Sequence, residues 1–117
     1  MRTSQNKLNS ALKNQLVKTF AQTLTDLKNS QEMNTFLTDF FNASELETFA
    51  KRLSVAYWLT KKRSYENIRT NIKVSSATIA TIEKLLQKPG FALALKKMEA
   101  EEWASQWVEK IQKFIKK

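Results

Sequence analysis

Three features of the 117-residue chain predict an all-α fold. It contains one glycine and one proline, whereas sheets joined by tight turns usually need several glycines at residues with φ > 0. Ala, Leu, Lys, Glu and Gln, all good helix formers, are abundant. Apolar residues recur every three or four positions through six successive segments, the period of a helix face. The length suits one domain over residues 1–117.

Leu8, Leu12, Leu16, Phe20, Leu24 and Leu27 form the apolar face of a first helix, with Lys7, Lys13 and Lys18 opposite. Asn29-Ser30 breaks the pattern, and Ser30 is the expected next N-cap. A short second helix carries Met33, Phe36, Leu37, Phe40 and Phe41, and Asn42-Ala43 ends it. Ser44, with Glu47 three residues on, has the capping-box pattern. It opens a third helix with inner positions Leu46, Phe49, Ala50, Leu53, Ala56, Tyr57 and Leu59. Lys61-Lys62-Arg63 is a basic connector, and Ser64 caps a fourth helix bearing Tyr65, Ile68 and Ile72. Val74-Ser75-Ser76 reads as a turn with a further serine cap, leading into Thr78, Ile79, Ile82, Leu85 and Leu86. Pro89-Gly90 reads as a stop. A final helix from about Phe91 to Ile115 carries Leu95, Met98, Trp103, Trp107, Ile111 and Phe114.

Composition narrows the chemistry. Without cysteine there is no disulfide, thiolate zinc site or cysteine nucleophile. Without histidine the commonest general base and metal ligand is missing. One glycine cannot make a Gly-rich phosphate loop. No enzymatic role, cofactor or metal is expected. No run of about 18 apolar residues appears, so no membrane span is expected. Met1 to Lys7 is not followed by an apolar signal segment, which makes a cytoplasmic location the expectation.

Residues 64–87 are the most informative stretch. Ile68 and Ile72 on one helix, Val74 at the corner, and Ile79 and Ile82 on the next have the spacing of a helix-turn-helix. The opposite face of the second helix holds Ser76, Ala77, Thr78, Ala80, Thr81 and Lys84, small or polar enough to approach base edges in the major groove. Ser75, Ser76, Ala77, Thr78 and Thr81 are the expected base contacts. Lys62, Arg63, Ser64, Arg69, Lys73 and Lys84 are the expected phosphate contacts. Two positions depart from the common pattern: Lys73 stands where the turn often has glycine, and Arg69 stands where a small residue is common. Two simply packed amphipathic helices are the alternative. The net charge of +9 is uneven, because residues 61–88 hold seven basic side chains against two acidic ones, a net +5. Such grouping is the footprint of phosphate contact, although any single cation also suits a solvated face.

Ala43-Ser44-Glu45-Leu46-Glu47, Ala50-Lys51-Arg52-Leu53, Ser64-Tyr65-Glu66-Asn67-Ile68 and Ser75-Ser76-Ala77-Thr78-Ile79-Ala80 together resemble the Trp repressor superfamily. The similarity is greater to its TrpR-like branch of the YerC/YecD type, and covers about residues 30–88. The Ala-Thr-Ile triplet and the third helix with Arg52 are its more specific parts. The resemblance implies a six-helix intertwined homodimer, with residues 1–60 and 91–117 as dimerisation and core helices. It also implies a double-stranded DNA-binding transcriptional regulator, a repressor, whose two heads enter successive major grooves. In Trp repressor itself, tryptophan lies between two arginines, on the third and the recognition helices. Arg52 matches the first, whereas Thr81 stands at the second with no guanidinium to offer. A tryptophan corepressor is therefore not expected, and Arg52 remains either a ligand contact or a helix residue held by Glu45 or Glu47.

Trp103 and Trp107, four apart on a helix, read as core or dimer interface rather than a stacking platform for bases. Glu99, Glu101 and Glu102 read as a solvated acidic patch. Lys110, Lys113, Lys116 and Lys117 suit the negative end of the last helix dipole. A helical protein-interaction module, or a structured-RNA binder using the same basic patch, is the alternative function.

Overall fold

The computed structural model describes residues 7–115, and among them every side chain except those of Trp107, Phe114 and Ile115. The expectations for Met1 to Asn6, for Trp107 and Phe114, and for Lys116 and Lys117 lie outside the described residues. The described residues form six helices and no strand: α1 (Ser10–Asp26), α2 (Ser30–Phe40), α3 (Ala43–Thr60), α4 (Tyr65–Ile72), α5 (Ser76–Leu85) and α6 (Pro89–Ile115). The all-α expectation holds. Among the described residues, no helix is long and apolar enough to cross a membrane. The chain divides into two compact units, one through Leu46 and one from Glu47 onward.

In the first unit, Asn9 caps α1, its Oδ1 accepting from the backbone N–H of Ala11 and Leu12 at 2.9 and 3.3 Å. The cap of α2 is Asn29 and not Ser30. Asn29 lies in extended backbone (φ −157°, ψ 176°) and its side chain accepts from the N–H of Glu32. The carboxylate of Glu32 accepts in turn from the N–H of Lys28. Asn29 has an acid three residues on and Ser30 does not, so an arrangement close to a capping box, with Glu32 reaching one residue beyond the cap, starts the helix one residue earlier. The same correction applies to α3. Asn42 and Glu45 exchange backbone-to-side-chain hydrogen bonds of 2.9 and 2.8 Å, so the capping box is Asn42–Glu45, two residues ahead of the expected Ser44–Glu47. The rings of Phe20 and Phe36 both stack on Phe40, at centroid distances of 5.5 and 5.0 Å.

The second unit holds the buried core, made of Val55 and Ala56 from α3, Ile68 from α4, Ile79 and Ile82 from α5, and Leu95 from α6. Ile72 and Val74 pack against it partly buried, as the helix-turn-helix spacing requires. The third helix is turned from its expected setting. Val55 is fully buried, whereas Phe49 and Leu53, expected inside, are exposed. Pro89-Gly90 is the start of α6 rather than a stop. Proline suits a first helical position, because its φ is preset and its missing N–H would have no intrahelical partner there. Trp103 is 61% exposed, which excludes it from the core of its own chain.

Candidate nucleic-acid interface

The interface begins at the end of α3. Lys62 is left-handed (φ 62°), its N–H donates to the carbonyl of Leu59, and the N–H of Arg63 donates to that of Trp58. This is the Schellman ending of a helix, with Lys62 at the position usually taken by glycine. The two residues whose side chains normally make an apolar contact across that motif are here Trp58 and Arg63. The Arg63 guanidinium sits over the Trp58 ring, 4.1 Å from its centroid. Lys61 pairs with Glu102 of α6 at 3.1 Å, which gives one member of the acidic patch a partner.

Ser64 caps α4 as expected, accepting from the N–H of Asn67 at 3.1 Å. At the far end, Lys73 occupies the left-handed region (φ 64°, ψ 54°) and its N–H returns to the carbonyl of Arg69. The expected corner residue is thus the corner residue, without glycine. Two side chains brace it. Lys51 of α3 donates to the Lys73 carbonyl at 3.4 Å, and Arg69 donates to the Ser76 hydroxyl at 3.1 Å. Tyr65 at the start of α4 donates to Glu83 of α5 at 2.6 Å. That bond holds the Tyr65 hydroxyl above the usual phenol range, with desolvation and the Glu83 charge adding to it.

Ser75 caps α5, its Oγ accepting from the Thr78 N–H and sharing a 3.0 Å hydrogen bond with the Thr78 hydroxyl. Thr81 donates its hydroxyl proton to the Ala77 carbonyl. Ser75, Ala77, Thr78, Thr81 and Lys84 are exposed, and Ser76 is partly buried under Arg69. Lys62, Arg63, Ser64, Arg69 and Lys73 are exposed as well. Of the expected base contacts, Ala77, Thr78 and Thr81 are thus exposed along α5 and Ser75 at its cap, while Ser76 is partly covered. Lys84 lies on α5, and Lys62, Arg63, Arg69 and Lys73 lie on or beside α4.

Arg52 leans over Phe49, 5.9 Å from its ring centroid. It also borders an open cleft of about 670 Å³, together with Thr48, Lys51, Lys73, Thr78 and Thr81. Lys51 was not singled out from sequence, yet it is the cation that reaches the corner. It lies four residues before Val55 and hence on the flank of the buried stripe, a placement that the expected inner position of Leu53 concealed. Trp58 adjoins the basic connector in sequence and invites a base-stacking reading, but its pairing with Arg63 is visible only once the helix end is known.

The Trp repressor protein family model matches residues 15–99. The chain belongs to the Trp repressor family. The matched span runs from α1 into α6 and includes the whole helix-turn-helix. The chain is 29% identical over 84 residues to the uncharacterized protein YerC of Bacillus subtilis, covering 70% of this chain and 81% of that one. The crystal structure of a TrpR-like protein from Eubacterium eligens superposes with a TM-score of 0.69 at 27% identity, covering 78% of this chain and 96% of that one. The resemblance read from the sequence is thereby confirmed, and with it the TrpR-like fold.

Proposed function

We propose that this Trp repressor family member is a sequence-specific double-stranded DNA-binding regulator of the repressor type, acting as a homodimer. Residues 64–87 are its reading head, and the helices of 1–60 and 91–117 its dimerisation and core elements. The observation that carries this reading is the exposed face of α5, bearing Ala77, Thr78, Thr81 and Lys84, with Lys73 lining the same cleft and Arg69 bonded to Ser76 at the start of the helix. Small side chains let a helix approach base edges, and flanking cations neutralise phosphates. Two heads reading one side of B-DNA require half-sites about 34 Å apart.

Thr78→Glu tests it. Position 78 is the third residue of α5, where a carboxylate completes a capping box with Ser75 and favours the positive helix end. Helicity should therefore be kept and melting temperature unchanged or slightly raised. Gel-shift affinity at moderate salt with competitor duplex should fall at least about tenfold, because a negative charge now faces the groove. Unchanged affinity would refute the assignment of α5 as the recognition helix. Binding of structured RNA but not duplex would favour the RNA alternative.

A further inference from the structure

We infer that Trp58 is a positioning residue for DNA binding, presenting Arg63 to a backbone phosphate. The inference rests on the DNA-binding reading above and assigns a task to a tryptophan that this reading leaves unused.

Arg63 is held from three directions. Its N–H is bound to the carbonyl of Trp58. Its guanidinium lies over the Trp58 ring at 4.1 Å, and Nη1 donates to Asn67 Oδ1 at 3.3 Å. Trp58 itself is partly buried and packed against the core, so it is a fixed floor rather than a second mobile side chain. A ring engages the face of a guanidinium, whereas the N–H donors lie in its plane and point outward. Arg63 therefore keeps in-plane donors available while losing much of the rotamer freedom that an exposed arginine would give up on binding phosphate. Its place supports that use. Arg63 directly precedes the Ser64 cap of α4, where N–H groups and the positive helix end also favour an anion. Two further cation–π pairs among the described residues, Lys61 over Tyr57 at 5.3 Å and Arg52 over Phe49 at 5.9 Å, are looser.

A double-mutant cycle read by gel shift and by salt dependence tests the assignment. Arg63→Ala should weaken duplex binding about five- to tenfold and flatten the slope of log K against log salt by about 0.9, the loss of one phosphate contact. Trp58→Leu should approach the same affinity loss. In the Arg63→Ala background it should cost nothing further, because the residue it positions is already gone. Trp58→Phe, which keeps an aromatic floor, should recover most of the affinity. Equal losses from Trp58→Leu in both backgrounds would mean that Trp58 only supports the fold, and would overturn the inference. Should Trp58→Leu unfold the chain, Trp58→Phe carries the cycle. Its smaller loss must again vanish without Arg63, and persistence would be fatal. Failure of the unaltered protein to bind duplex at all sinks the DNA reading itself, an outcome distinct from additivity.

Discussion

Among the described residues, the two non-glycine positions with positive φ are both lysines, Lys62 and Lys73, and they stand on either side of α4. Left-handed backbone costs a residue with a Cβ roughly 1 kcal/mol that glycine does not incur. That strain is tolerated where neighbours fix the conformation and the side chain has a use. At Lys73 the fixing groups are Lys51, Arg69 and Ser76, and the use assigned above is phosphate contact. Lys73→Gly should therefore separate the two roles. Stability should rise by roughly 0.5–1 kcal/mol in urea denaturation, while duplex affinity drops and its salt slope flattens by about 0.9. A variant neither more stable nor weaker in binding would show that Lys73 is only a surface lysine in a relaxed turn. The identity of the corner residue was legible in the sequence because Val74 and the isoleucines bracket it. Its bracing was not, because the long side chains of Lys51 and Arg69 reach it from positions 22 residues and 4 residues away in the chain.

Among the helices, legibility followed how local the deciding interaction was. Ser64 is readable as a cap, being the only good capping residue directly ahead of its apolar repeat, whereas Ser75-Ser76 reads as a serine cap without showing which serine it is. At Asn29-Ser30 and at Asn42-Ala43-Ser44 two such residues compete, and the acid three positions on settled or failed to settle the choice. The rotation of α3 was hidden for a different reason. Phe49 and Leu53 are as apolar as core residues, and periodicity alone does not tell a face buried within the chain from one left open. Pro89-Gly90 was ambiguous because the same dipeptide ends one helix or begins the next. The structure makes Gly90 the second residue of α6, without positive φ, and a Cβ there would meet nothing within 4 Å. Glycine is therefore an entropic cost at that position and serves no conformational need. Gly90→Ala should stabilise the protein by about 0.4–1 kcal/mol with duplex affinity unchanged. A destabilised variant would mean that the start of α6 requires backbone freedom after all.

At the scale of the molecule, the buried core is confined to the second unit among the described residues. Every buried hydrophobic residue described lies from Val55 to Leu95, and neither α1 nor α2 contains a buried residue. Leu12, Leu16, Val17 and Phe20 on α1, and Trp103, Val108 and Ile111 on α6, are at least 38% exposed. Contiguous apolar faces of this kind mark an interface. On the proposed homodimeric reading, a second copy of the same chain would cover these faces. Folding would then be coupled to association, and the melting temperature would depend on protein concentration. A tenfold rise in concentration is worth about 1.4 kcal/mol per dimer, which for some two hundred residues unfolding together corresponds to an increase of roughly 3–5 °C. Light scattering should give a mass twice that of the chain. Val17→Asp, which places a charge on a face that is 60% exposed in the single chain, should abolish the concentration dependence and lower the melting temperature. A melting temperature that stays constant over two decades of concentration, with a monomer mass, would mean that the apolar faces of α1 and α6 serve something other than self-association.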